Sequence, residues 1–150
     1  MTATMPEALQ RLVDLFAASP KAVKVQAMVD YSNRLADPPA SLADSDTLQR
    51  VHECQTPFFV ATELGPRGQV LLHFDVPRES PTMRGFAGIL ADGLRHASAK
   101  EILALSPTFY VEMGLEEVVS PLRLRGMAAI VATIQAQVRR ALEAGPATPS

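Results

Sequence analysis

The stretch FFVATELGPRGQVLLHFD, residues 58–75, decides the fold. Phe58–Leu64 and Gln69–Asp75 have strand-like composition, and Gly65-Pro66-Arg67-Gly68 between them supplies the turn chemistry of a hairpin. A third short strand is expected just upstream, at Val51–Glu53. That strand would complete a three-stranded meander and leave Cys54 and Gln55 in the bend between strands.

On both sides of this sheet the pattern is helical. Pro6 opens a run with Leu9, Leu12, Val13 and Phe16 at helical spacing. A second run starts at Pro20 with Ser19 as its expected N-cap, and Val23, Ala27, Met28, Tyr31 and Leu35 share one side. Asp37–Thr47 reads as a turn-rich link without regular structure. Downstream, Ser80 and Pro81 begin a helix with Phe86, Ile89, Leu90 and Leu94 as its apolar face. Ser98-Ala99-Lys100-Glu101 has the spacing of a capping box. Pro107–Leu115 suggests another short helix, ended by Gly114. The last helix is the longest, capped by Ser120, started by Pro121 and followed by Gly145. Helices, then a small antiparallel sheet, then helices again make an α+β protein, not an alternating βαβ one. One domain over residues 1–150 is expected, ordered from about 6 to 145, with residues 146–150 as a flexible tail.

The chain has 150 residues, 47% of them hydrophobic and 20% charged, which is ordinary for a soluble globular domain. A net charge of −2 gives no reason to expect a nucleic-acid or membrane partner. Apolar runs such as Met127–Ala132 are too short to span a bilayer. The N-terminus lacks the regions of a signal peptide, so a cytoplasmic location is expected. The single cysteine excludes an internal disulfide, and also any multi-cysteine zinc or iron–sulfur site built by this chain alone.

That cysteine, Cys54, lies in Val51-His52-Glu53-Cys54-Gln55-Thr56-Pro57, a polar neighbourhood ended by a ladder-breaking proline. Four readings are open. It could be a small buried hydrophobe. It could be a nucleophile served by His52 or His73, a small cytoplasmic thiol enzyme, although adjacent Glu53 disfavours the thiolate. It could belong to a redox carrier, but no resolving cysteine or thioredoxin-like frame accompanies it. Lastly, it could accept a sulfur atom from another protein's persulfide, chemistry that needs one mobile thiol and no second cysteine. The residue types alone do not choose among these. The histidines, His96 included, are read as structural.

Val51–Phe59 resembles the V-x-G-C-Q-S-x-V-W motif of the SufE family, sulfur acceptors that work with PLP-dependent cysteine desulfurases in iron–sulfur cluster assembly. The resemblance runs from about Leu9 to Ala144. Tyr31–Pro39 is similar to the end of the family's second helix, with Ser32 replacing a glycine. Pro77–Leu90 matches a segment with an acidic residue, here Glu79, a few places before Lys/Arg-Gly. Leu105–Met127 matches an aromatic stretch followed by L-(S/T)-P-x-R-x-x-G. The motif's glycine is Glu53 here and its serine is Thr56, while Phe59 keeps the aromatic end. Because glutamate does not tolerate positive φ as glycine does, this loop is expected to be built differently.

The resemblance implies a SufE/IscU-like fold in which Cys54 carries the persulfide, stimulates a cysteine desulfurase and passes sulfur on, with an iron–sulfur scaffold as a candidate recipient. It implies no cofactor in this chain and no activity as an enzyme in its own right. Gln55, Glu79 and Arg123 become the supporting or partner-contact residues. Alternatively, Arg123, at the third position of its helix, is held by Glu116, Glu117 or a bend carbonyl. Glu79 equally reads as a simple helix-start acid.

Overall fold

The computed structural model describes residues 5–43 and 47–144. The hairpin forms as read. Strands β2 (Phe59–Leu64) and β3 (Val70–Asp75) pair antiparallel from Phe59 opposite Asp75 to Leu64 opposite Val70. The turn closes through Gly65 N–H to Gln69 O at 2.7 Å, and Gly68 takes a φ of 77°, where a side chain would be strained. The third strand, β1 (Gln49–Arg50), pairs with β2, giving the order β1-β2-β3. It lies two residues earlier than expected. Val51 makes one further bond to Phe58 O, and the chain then turns, so His52 and Glu53 belong to the bend and not to a strand.

The longer helices among the described residues are α1 (Glu7–Ala18), α2 (Lys21–Arg34), α4 (Pro81–Gly93) and α6 (Pro121–Ala144); α6 packs on β2 and α4 on β3, while α1 and α2 pack on α4. Two shorter ones are α3 (Ala40–Ala43) and α5 (Ala99–Ala104). The architecture is α+β, as expected. The Ser98–Glu101 capping box forms in both directions, and Ser120 Oγ accepts from Arg123 N–H at the start of α6. Gly145 and the tail lie outside the described residues.

Several local expectations need correction. Ser19 does not cap α2. Its hydroxyl donates back to Leu15 O at 2.6 Å, closing α1, and Pro20 takes the N-cap position. The buried side of α2 is Lys24, Met28 and Ser32, whereas Val23 is half exposed. Lys24 can be buried because its flexible stem packs while its ammonium reaches Glu117 Oε2 at 2.7 Å. The link at 37–47 contains one helical turn, α3; residues 44–46 lie outside the described residues. Pro107–Leu115 does not form an α-helix but two 3₁₀ turns, Phe109–Val111 and Leu115–Glu117, joined by Gly114 at φ 73°. Gly114 also admits Lys24 Nζ, which would stand 2.8 Å from a Cβ there.

Three buried polar side chains lock the elements together. Arg84 of α4, 3% exposed, donates to Ser32 O, Leu35 O and Val76 O at 2.6–3.1 Å. Two of these carbonyls end α2, where a cation also favours the helix dipole. Gln135 donates to Ile102 O and Leu105 O at the end of α5. Gln137 joins α6 to the sheet through Val60 O, Thr62 Oγ1 and Gln49 Oε1. Helices α2 and α4 touch backbone to backbone, since a Cβ on Gly85 would stand 2.4 Å from Met28 O.

Candidate functional site

Residues 52–57 bridge β1 and β2, and their base is fixed. Val51 N–H donates to Phe58 O at 2.9 Å, both side chains are buried, and the Phe58 ring meets Phe74 edge-on at 5.9 Å. Between those anchors Cys54 alone is buried, at 6% exposure; His52, Glu53, Gln55 and Pro57 face solvent. The loop therefore hangs from a rigid base and tucks in one side chain, the thiol. Cys54 N–H donates to Val51 O at 3.1 Å. No described residue other than glycine has a positive φ, so Glu53 fits this turn in ordinary backbone geometry.

The start of α6 covers the thiol. Cys54 Sγ lies 3.7 Å from Gly126 O, within reach for a weak S–H donation. Beside it is a cavity of about 60 Å³ lined by Cys54, Gln55, Thr56, Met83, Leu122, Arg123 and Gly126. That is several times the space one water-sized atom needs. The Thr56 hydroxyl donates to Ser80 Oγ at 3.3 Å, tying the loop to the start of α4.

Burial pushes the Cys54 thiol up to about 11, adjacent Glu53 adds to the rise, and Arg50 opposes it. In this state the thiol is protonated and protected, not poised.

The structure brings Cys54, Gln55 and Arg123 to one cavity. Arg123 is exposed and has no carboxylate within ion-pair distance among the described residues; Glu117, offered as its partner, is taken by Lys24. Lys24 holds the Glu117 carboxyl below the usual range. Glu79 is exposed and does not line the cavity. It precedes Ser80, the α4 N-cap that Thr56 contacts. No histidine lines the cavity. His52 points to solvent, and His73 sits on β3 with Nε2 2.9 Å from Glu63 Oε1, though not aligned for a hydrogen bond. His96 lies at another cavity, beside Pro6 and Glu101. Sequence reasoning passed over Met83 and Gly126 as wall residues. The second was visible as the glycine three places after Arg123, one helical turn along the same face.

Among the described residues no group of three or more His, Cys, Asp or Glu could hold a metal ion, and no helix is long and apolar enough to cross a membrane.

Residues 10–138 match the family described as SufE: Fe-S metabolism associated domain. Proteins named "Uncharacterized SufE-like protein" from two strains of Mycobacterium tuberculosis, CDC 1551 and H37Rv, are each 42% identical over 139 residues. The match covers 93% of this chain and 96% of theirs. SufE-like protein 1, chloroplastic/mitochondrial, of Arabidopsis thaliana is 28% identical over 125 residues, 82% of this chain but 32% of that longer protein. Among solved structures, a hypothetical protein from Thermus thermophilus superposes with a TM-score of 0.84 at 43% identity. That superposition covers 93% of this chain and 99% of that one.

Proposed function

The chain belongs to the SufE family, associated with Fe-S metabolism, and from that premise we propose that it is a sulfur acceptor serving a cysteine desulfurase through Cys54. The observation that carries this reading is the loop at 52–57, in which the thiol is the single buried side chain between two fixed anchors. Such a loop can turn outward without unpacking the core, because only one small side chain leaves its seat. Its resting contacts are two hydrogen bonds of the cysteine and one of Thr56. Docking of a partner would supply the free energy for that exchange of states.

In the transfer, the exposed Cys54 ionises and attacks the outer sulfur of the desulfurase persulfide. A new S–S bond forms at Cys54 Sγ while the enzyme's S–S bond breaks. The electron pair leaves with the enzyme's thiolate, which takes up the proton that Cys54 lost. The sulfur changes carrier with no external oxidant or reductant. PLP belongs to the desulfurase, and this chain acts as carrier and activator. A resting thiol raised to about 11 supports the need for a partner, since exposure to water returns it towards the ordinary range.

Gln55 and Arg123, on the cavity wall, would guide the loop or the incoming persulfide, and Glu79, exposed beside the α4 N-cap, would be a partner contact. The recipient after loading is an iron–sulfur scaffold, and the site of action is the cytoplasm. A thiol enzyme using Cys54 with His52 or His73 has no supporting geometry in the cavity. Replacing both histidines by alanine separates the two readings. Stimulation of the desulfurase by the double variant should stay at the wild-type level, and loss of stimulation would favour the thiol enzyme.

A further inference from the structure

Resting on the sulfur-acceptor reading, we propose that Gly126 is the specificity-determining residue for retention: the space of its missing side chain is where Cys54 keeps the second sulfur atom. Glycine is a poor choice inside a helix, and Gly126 stands in the second turn of the 24-residue α6. Its explanation lies across the interface. A Cβ at this position would stand 3.1 Å from Cys54 Sγ, 3.6 Å from Met83 Cε and 3.7 Å from Cys54 Cα. The first distance is inside ordinary contact, so any other residue presses on the thiol even before a sulfur is added. A persulfide extends the side chain by about 2.05 Å. The cavity of about 60 Å³ lined by Gly126 has room for that atom, and a methyl on Gly126 would crowd the sulfur from which it extends.

Loading also changes the hydrogen bonding. The free thiol can donate to Gly126 O, but the inner sulfur of a persulfide carries no hydrogen and cannot. The proton or negative charge moves to the outer sulfur, in a cavity whose lining includes Arg123, one turn before Gly126. Gly126 thus provides the volume and Arg123 the matching charge.

The test loads the protein without any desulfurase, so its outcome is separate from that of the transfer reading. With inorganic polysulfide, the Cys54 thiolate attacks a sulfane sulfur; one S–S bond forms at Sγ and one breaks in the polysulfide. The shortened polysulfide leaves with the electron pair and the proton. Loss of the added sulfur to dithiothreitol is then followed by intact mass. Gly126→Ala should load but lose its sulfur roughly 5- to 150-fold faster than wild type, the range that overpacking of one methyl implies. Adding Met83→Ala, which vacates space beside the new methyl, should restore much of the lifetime. A helix merely weakened at position 126 would not recover this way. Leu122→Trp fills the same cavity from its exposed rim, leaves the α6 backbone alone and should also shorten the lifetime. Wild-type retention in Gly126→Ala, no recovery with Met83→Ala, or an unchanged or longer lifetime in Leu122→Trp would overturn the assignment.

Discussion

Alkylation of Cys54 in the free protein should be much slower than that of an ordinary thiol, and the size of the effect follows from the site. With the thiol pushed up to about 11, against about 8.5 for a solvated cysteine, its thiolate fraction at neutral pH falls roughly 300-fold. The rarer thiolate is more nucleophilic, by about tenfold for a Brønsted slope near 0.4–0.5. The electrostatic part alone therefore slows alkylation by about 20- to 30-fold, and burial to 6% exposure slows it further. The assay is iodoacetamide labelling followed by intact mass from pH 6 to 10.5, with the urea-unfolded chain as reference. The folded protein's rate should still be climbing at the top of that range, while the unfolded chain's levels off above about 8.5. Equal rates at neutral pH, or a folded profile that levels off with the unfolded one, would refute a protected resting thiol.

Three further outcomes test the frame that holds this site. Arg84→Met strands the carbonyls of Ser32, Leu35 and Val76, and at about 1–3 kcal/mol for each buried unpaired group it should cost about 3 kcal/mol or more in urea unfolding. Gly85→Ala drives a methyl against the Met28 carbonyl and should cost about 1–3 kcal/mol, read as a lowered melting temperature. Alkaline stability should also depend on Cys54. Its folded pKa lies above the unfolded one, so its contribution is whole below about 8.5 and is lost as pH rises towards about 11. Cys54→Ala should flatten that part of the stability profile.

Much of the frame was legible because local chemistry and tertiary demand agreed. The hairpin at 58–75, the capping box at Ser98 and the start of α6 at Ser120 each had strong local signals, and each formed. Reading failed where distant partners decided. A pattern of apolar residues placed Val23 inward, but Glu117, far along the chain, lets Lys24 take the buried position. Arg84, Gln135 and Gln137 are of residue types that mostly stay exposed, yet they are buried and satisfy carbonyls on other elements. Around the thiol, the bend was visible from Pro57 and the polar neighbours. The covering wall was not, because Met83 and Gly126 come from helices 29 and 72 residues further along the chain.

The central claim concerns one atom of sulfur on one side chain. Intact-mass measurement after incubation with a cysteine desulfurase and free cysteine tests it most directly. One added sulfur should map to Cys54, disappear on reduction and be absent from Cys54→Ser. An unchanged mass for a folded protein, while the desulfurase turns over beside it, would contradict the account.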